Sequence, residues 1–150
     1  MEDKPLSPKR GNMEQKLQIA FANYMEYAHP DVLFFAVPNG GKRTMIEAAL
    51  LKKMGVLAGV ADCLLFWKGN FAAIELKRPD KPASMSPSQC VFRDRWVAAG
   101  GKFALCNSLD GCEEALKSWG LTSQYRVPIM EGSKRIMLQQ VSMHELYRVD

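Results

Sequence analysis

Asp62, Glu75 and Lys77 are charged residues set among apolar runs, Leu64-Leu65-Phe66 on one side and Ala72-Ala73-Ile74 on the other. Residues 60–67 and 71–77 read as strands, rich in aliphatic and aromatic types, and Lys68-Gly69-Asn70 between them has turn chemistry. If Lys68 and Gly69 form a tight loop, Trp67 faces Asn70 and, counting back in step, Asp62 faces Glu75. Directly opposed residues have Cβ atoms roughly 4.5–5.5 Å apart. A slip of one residue would oppose Asp62 to Lys77 instead, and the same three groups would still adjoin. Alternation puts Glu75 and Lys77 on one face and Ile74 and Leu76 on the other.

Two carboxylates this close repel each other unless positive charge lies between them. Their hard oxygens suit magnesium or manganese, which bind through one or two carboxylates, waters and substrate phosphate oxygens. Such an ion polarises a scissile phosphate and lowers the pKa of a bound water. Lys77 would orient that water or stabilise charge developing on the phosphate. The same spacing also suits a plain cross-strand ion pair, Lys77 neutralising Asp62 or Glu75, worth only about 0.2–1 kcal/mol. Spacing by itself does not decide between the two readings.

The elements that must position these residues follow from periodicity. Residues 13–28 predict a helix with Leu17, Phe21, Tyr24 and Ala28 on one face, begun by an Asn12 cap; Glu14 falls on that face, a turn before Leu17 and Gln18. An acid in a first turn is ordinary helix-dipole chemistry. Residues 32–37 predict a strand, and Thr44-Met45-Ile46-Glu47 a capping box opening a helix that turns Ile46, Ala49 and Leu50 inward and stops near Gly55. Residues 79–87, with three prolines, make a loop. Ser86-Pro87-Ser88-Gln89 forms a second capping box with Pro87 at the favoured first position, followed on the helix by Phe92, Trp96 and Val97 as core. A strand over 102–106 and a helix over 110–119 complete the pattern. Beyond residue 120, apolar groups at 125–130 and 136–141 flank a Glu131-Gly132-Ser133-Lys134 turn, as in a hairpin or a dimer arm.

Four segments, Val37-Pro38-Asn39-Gly40-Gly41-Lys42-Arg43, Gly55-Val56-Leu57-Ala58-Gly59-Val60-Ala61-Asp62, Ile74-Glu75-Leu76-Lys77 and Ser86 to Gln89, together resemble the VRR-NUC family of virus-type replication-repair nucleases. That family is a branch of the PD-(D/E)xK superfamily. The match runs over residues 12–110, with Ala61 where the family has a proline before its aspartate. The resemblance implies an α/β fold with a restriction-endonuclease-like αβββαβ core, its mixed central sheet flanked by helices and an extra helix after the first strand. It implies a metal-dependent DNA endonuclease using Mg2+ or Mn2+, with Asp62, Glu75 and the Leu76 carbonyl as ligands and Lys77 as the catalytic cation. Glu14 becomes an accessory site residue, and Gln89, which helix capping alone would explain, is placed by the resemblance beside the lysine instead. Asn39, Gly40, Lys42, Arg43 and Arg78 become DNA contacts, the glycines permitting close backbone approach to phosphate. By analogy with junction resolvases, a homodimer would make paired cuts on branched DNA such as Holliday junctions. The alternatives are a flap, nick or single-strand nuclease of the same fold, and a DNA-binding module without catalysis.

Composition is compatible with this. The chain of 150 residues is 47% hydrophobic and 24% charged, enough for one core, read as a nuclease domain over 12–120 between a flexible segment at 1–11 and an extension at 121–150. The net charge of +4 is modest, so any phosphate binding depends on where the basic residues lie: Lys42-Arg43, Lys77-Arg78, Lys81, Arg93 and Arg95, with Lys52-Lys53 more simply solvated. No apolar run approaches the ~20 residues of a membrane span, and residues 1–10 carry no hydrophobic signal core; a cytoplasmic protein is expected. Cys63, Cys90, Cys106 and Cys112 form no CxxC pair and read as free thiols. His29 and His144 stand alone and read as surface or capping residues, and no P-loop points to a nucleotide cofactor.

Overall fold

The computed structural model describes residues 11–38, 41–123, 126–131 and 134–140, the last two stretches by backbone alone. Its elements follow the order α1 (Gly11–Ala28), β1 (Leu33–Ala36), α2 (Met45–Lys53), β2 (Cys63–Trp67), β3 (Asn70–Leu76), α3 (Pro87–Ala98), β4 (Lys102–Cys106), α4 (Leu109–Ser118), β5 (Arg126–Glu131) and β6 (Lys134–Gln140). This is the expected α/β order, with α2 as the extra helix after the first strand. Strands β1-β2-β3-β4 form a mixed sheet in that spatial order, and β5-β6 form a separate hairpin.

The described residues divide into two compact units. One holds residues 31–75 and 84–105, hence most of the sheet with α2 and α3. Its centre is the β2–β3 hairpin, where Trp67 pairs with Asn70 and Cys63 with Ile74. Lys68 and Gly69 have φ of 41° and 79°, the two positive values that a two-residue turn requires to match strand twist. On one face Cys63, Leu65, Ala72 and Ile74 are fully buried. On the other, Phe35 stacks on Phe66 at 5.9 Å, Phe66 on Phe71 at 6.4 Å, and Phe71 meets Trp96 of α3 edge-on at 5.0 Å. This row of rings seats α3 on the sheet face that also carries the 62 and 75 positions.

Two expectations for this unit are corrected. Helix α2 has its Thr44–Glu47 capping box, yet buries none of its residues, with Ile46 83% and Leu50 57% exposed. Amphipathic spacing says only that residues share a face, not that the fold covers it. Val97 of α3 is likewise exposed, while Phe92 and Trp96 are half-buried.

The second unit holds α1, residues 76–83, α4 and the β5-β6 hairpin. Leu17, Phe21, Tyr24, Met25 and Ala28 of α1 are buried, and α1 packs against α4, which buries Cys112 and Leu116. Full burial of such aliphatic side chains is worth about 1.5–3 kcal/mol each. Gly11 and Asn12 already lie inside α1, so Asn12 is not its cap. Residues 1–10, and His144 with them beyond residue 140, lie outside those described. The hairpin expected at the tail forms with Arg126 opposite Gln140 and a register shift between Ile129 and Met130. All four cysteines are free thiols.

His29 is not a surface residue: it is 3% exposed, meets the Tyr24 ring edge-on at 5.5 Å, and its Nε2 has no hydrogen-bond partner among the described residues. Burial holds its pKa below the usual 6.5, opposed in smaller measure by the charge of Glu113. The unfolded chain therefore takes up the proton first, so His29's contribution is complete above pH 6.5 and falls as the pH drops through that value. Urea unfolding midpoints should decline between about pH 7.5 and 5.5, and His29→Phe should flatten that decline; an unchanged slope in the variant would show that His29 is not its source.

Candidate active site

The ladder that builds β2 continues one step past its end on the β1 side, where the Val37 N–H donates to the Asp62 carbonyl at 2.8 Å. On the other side the β2–β3 register, carried one step beyond Cys63–Ile74, sets Asp62 opposite Glu75. The sequence-predicted register is thus the observed one, and both carboxylates fall on the sheet face covered by α3. Glu75 is only 4% exposed. Burying a carboxylate is costly unless hydrogen bonds or a cation compensate it.

Part of that compensation comes from Gln89. Its Nε2 donates to Glu75 Oε1 at 2.6 Å. Its Oε1 accepts from the Ser86 N–H at 2.8 Å, and its own N–H donates to Ser86 Oγ at 3.3 Å. Sequence left capping and a site role as competing accounts of this residue; the structure gives one amide both contacts. Capping orients the amide with its oxygen toward the helix end, which turns the NH2 toward the carboxylate.

Gly59 supplies the other constraint, one that sequence reasoning did not single out. It has φ of +76°, and a Cβ built there would collide with the Ser88 carbonyl group and come within 2.6 Å of the Gln89 nitrogen. The 55–59 turn therefore lies backbone to backbone on the first turn of α3. The sequence signal was a glycine three positions before Asp62.

The field of the two carboxylates is visible at Cys63, whose thiol is pushed up to about 12, mainly by burial and then by Asp62 and Glu75. Oxygen donors on opposed strands, in a region whose negative charge already raises a neighbouring thiol, fit a hard divalent cation. Among the described residues no group of three or more His, Cys, Asp or Glu gathers to hold a metal. A carboxylate pair is a donor set that would suit an ion retaining waters and substrate oxygens.

The remaining expected residues lie elsewhere in the chain's organisation. Leu76 ends β3, and the Lys77 N–H donates to the Cys106 carbonyl at 2.8 Å, which fixes the backbone from which the lysine projects. Both belong to the unit of α1, as do Glu14 and Arg78. Glu14 is exposed. Arg78 is engaged in a two-pronged pair with Asp80, its Nε donating to Oδ1 at 2.9 Å. That hydrogen bond raises the arginine's pKa, with the charges of Asp80 and then Glu14 adding to it, and lowers that of Asp80. Lys42 and Arg43 are exposed on the segment leading into α2, while Asn39 and Gly40 lie outside the described residues.

No protein-family model and no curated protein matches the chain. Among solved structures it is similar to a VRR_NUC domain protein, at 18% identity and a TM-score of 0.53, covering 73% of this chain and 90% of that one. The chain has the VRR-NUC fold.

Two variants test the construction of the site. Gly59→Ala should destabilise the protein by roughly 2–4 kcal/mol in urea unfolding, combining overpacking with left-handed backbone strain; a loss within about 0.5 kcal/mol, the range of ordinary surface changes, would mean that the 55–59 turn does not rest on α3. Gln89→Glu keeps an acceptor for the Ser86 amide while setting a second carboxylate against Glu75. It should raise the Glu75 pKa, followed by carboxyl NMR shifts, and no change would contradict the 2.6 Å contact.

Proposed function

We propose that the protein is a divalent-metal-dependent endonuclease that hydrolyses DNA phosphodiester bonds. What supports this reading is the β2–β3 register, which carried one step beyond Cys63–Ile74 sets Asp62 opposite Glu75, together with the Gln89–Glu75 hydrogen bond and the VRR-NUC fold. Asp62 and Glu75, with the Leu76 carbonyl, would hold Mg2+ or Mn2+. When bound, the ion supplies positive charge that polarises the phosphate and acidifies a water. The Lys77 ammonium orients the attacking water and offsets charge gathering on the phosphate oxygens. Gln89 aims Glu75 through its hydrogen bond, and Glu14 is assigned an accessory role. Lys42 and Arg43, beside Asn39 and Gly40, take the DNA backbone as phosphate contacts. Arg78 contributes to DNA binding once substrate phosphate competes with Asp80.

The finer reading is cleavage of branched DNA, such as four-way junctions, by a two-fold dimer placing two sites for paired cuts. It is favoured by the apolar side chains that α2 leaves exposed, Met45 at 91% and Ile46 at 83% among them, since large apolar exposure marks interaction surfaces. Among the described residues no helix is long and apolar enough to cross a membrane.

Synthetic junction, flap and linear duplexes incubated with magnesium, manganese or chelator decide between these readings. Wild-type protein should cut only with metal, and Asp62→Ala and Lys77→Ala should each lower the rate by at least ~10²-fold. Binding to junctions without cutting under either metal would leave a DNA-binding module instead of an enzyme. Equal cutting of linear duplex and junction would remove the resolvase reading and keep the nuclease one.

A further inference from the structure

Two cavities flank the 55–59 turn and share Leu57 and Ala58 as a common wall. Their chemistry differs. The first, of 600 Å3, is bordered by Arg43 and Lys52 and floored by the turn itself, including Gly55 and Gly59. The second, of 490 Å3, is lined by Ser88, Val91, Phe92, Arg95 and Trp96 of α3. All of these residues belong to the same compact unit.

The aromatic wall of the second cavity is rigid. The Trp96 indole Nε1 donates to the Lys102 carbonyl at 2.9 Å, its ring packs at 5.4 Å against Phe92, and Phe71 abuts it at 5.0 Å. Gly101 lies so close to Trp96 that a Cβ there would overlap the indole and reach within 2.7 Å of Phe71. Phe92 and Trp96 are nevertheless only half-buried, which leaves ring surface open to the cavity. A ligand that stacks would find its platform already fixed.

A cavity carrying Arg43 and Lys52 that shares a wall with one carrying Phe92, Trp96 and Arg95 matches the two-part chemistry of a single-stranded nucleotide. Cations track the sugar-phosphate backbone and aromatic rings take the unpaired base. We infer that the paired cavities form a single-stranded nucleotide subsite, the phosphate held by Arg43 and Lys52 and the extruded base lodged against Phe92 and Trp96, next to the helix turn that carries Gln89. A paired base inside a duplex cannot reach such a pocket without leaving its stack. The subsite therefore selects DNA carrying unpaired nucleotides, which suits the flap or single-strand alternative and not a fully paired four-way junction, and gives Lys52 a role beyond a solvated surface charge. It rests on the nuclease reading for its purpose but not for its test.

The test measures binding of the full chain, in chelator, to a fluorescent single-stranded oligonucleotide and to the same strand with abasic residues at its centre. The intact strand should bind wild-type protein roughly tenfold more tightly. Ala58→Trp, which fills the shared wall, should abolish that difference by weakening the intact strand alone. Arg43→Ala with Lys52→Ala should weaken both strands alike and reduce the salt slope by about two. Equal wild-type affinity for intact and abasic strands would overturn the proposal without any variant. So would a tenfold preference that survives Ala58→Trp, or a solution mass that changes with it, which would make the cavity an interface between copies. Base-dependent binding by a protein that cuts nothing with either metal would uphold the subsite while sinking the nuclease reading.

Discussion

The pairing of β2 with β3 determines where charge goes in this fold. With Trp67 opposite Asn70, every odd-numbered β2 residue from Cys63 to Trp67 lies with the even-numbered β3 residues, and Asp62 falls opposite Glu75 on the reverse face. A slip of one residue would move the entire apolar set across the sheet. Burial of Cys63, Leu65, Ala72 and Ile74 therefore fixes the register as firmly as the turn at Lys68-Gly69 does. The carboxylate pair is a consequence of the same pattern that makes the core.

Helix α3 converts that pair into a site. Its position is set by the Phe71–Trp96 contact at one end and by the backbone of Gly59 against Ser88 at the other. Between these anchors, the capping box spends the oxygen of Gln89 on the helix and leaves the nitrogen for Glu75. A stabilising local motif and a long-range polar contact thus share one side chain. Loss of the cap would disturb the carboxylate, and disturbance of the carboxylate would be felt at the helix terminus.

Much of this was legible in the residues. The hairpin register followed from a two-residue turn of strongly biased composition, and both capping boxes from four-residue motifs. What sequence did not reveal depends on contacts between distant segments. The packing of Gly59 on Ser88 joins residues nearly thirty positions apart and leaves only a glycine as its trace. The burial of His29 depends on α1 meeting α4, and a single histidine before a proline carries no sign of that. Helix α2 shows the converse: its apolar spacing is real, but spacing cannot say whether anything in the fold covers it. At the site, the pairing of the carboxylates was readable, whereas the assignment of Arg78 to Asp80 required the geometry of the loop after β3.

The account rests on Asp62 and Glu75 acting as one cation site. Calorimetric titration of Mn2+ into the DNA-free protein tests this most directly, because it reads the site without any substrate. The account predicts saturable binding near one ion per chain, weakened at least tenfold by either Asp62→Asn or Glu75→Gln, with the folded structure retained. Wild-type binding that survives both substitutions unchanged would contradict it.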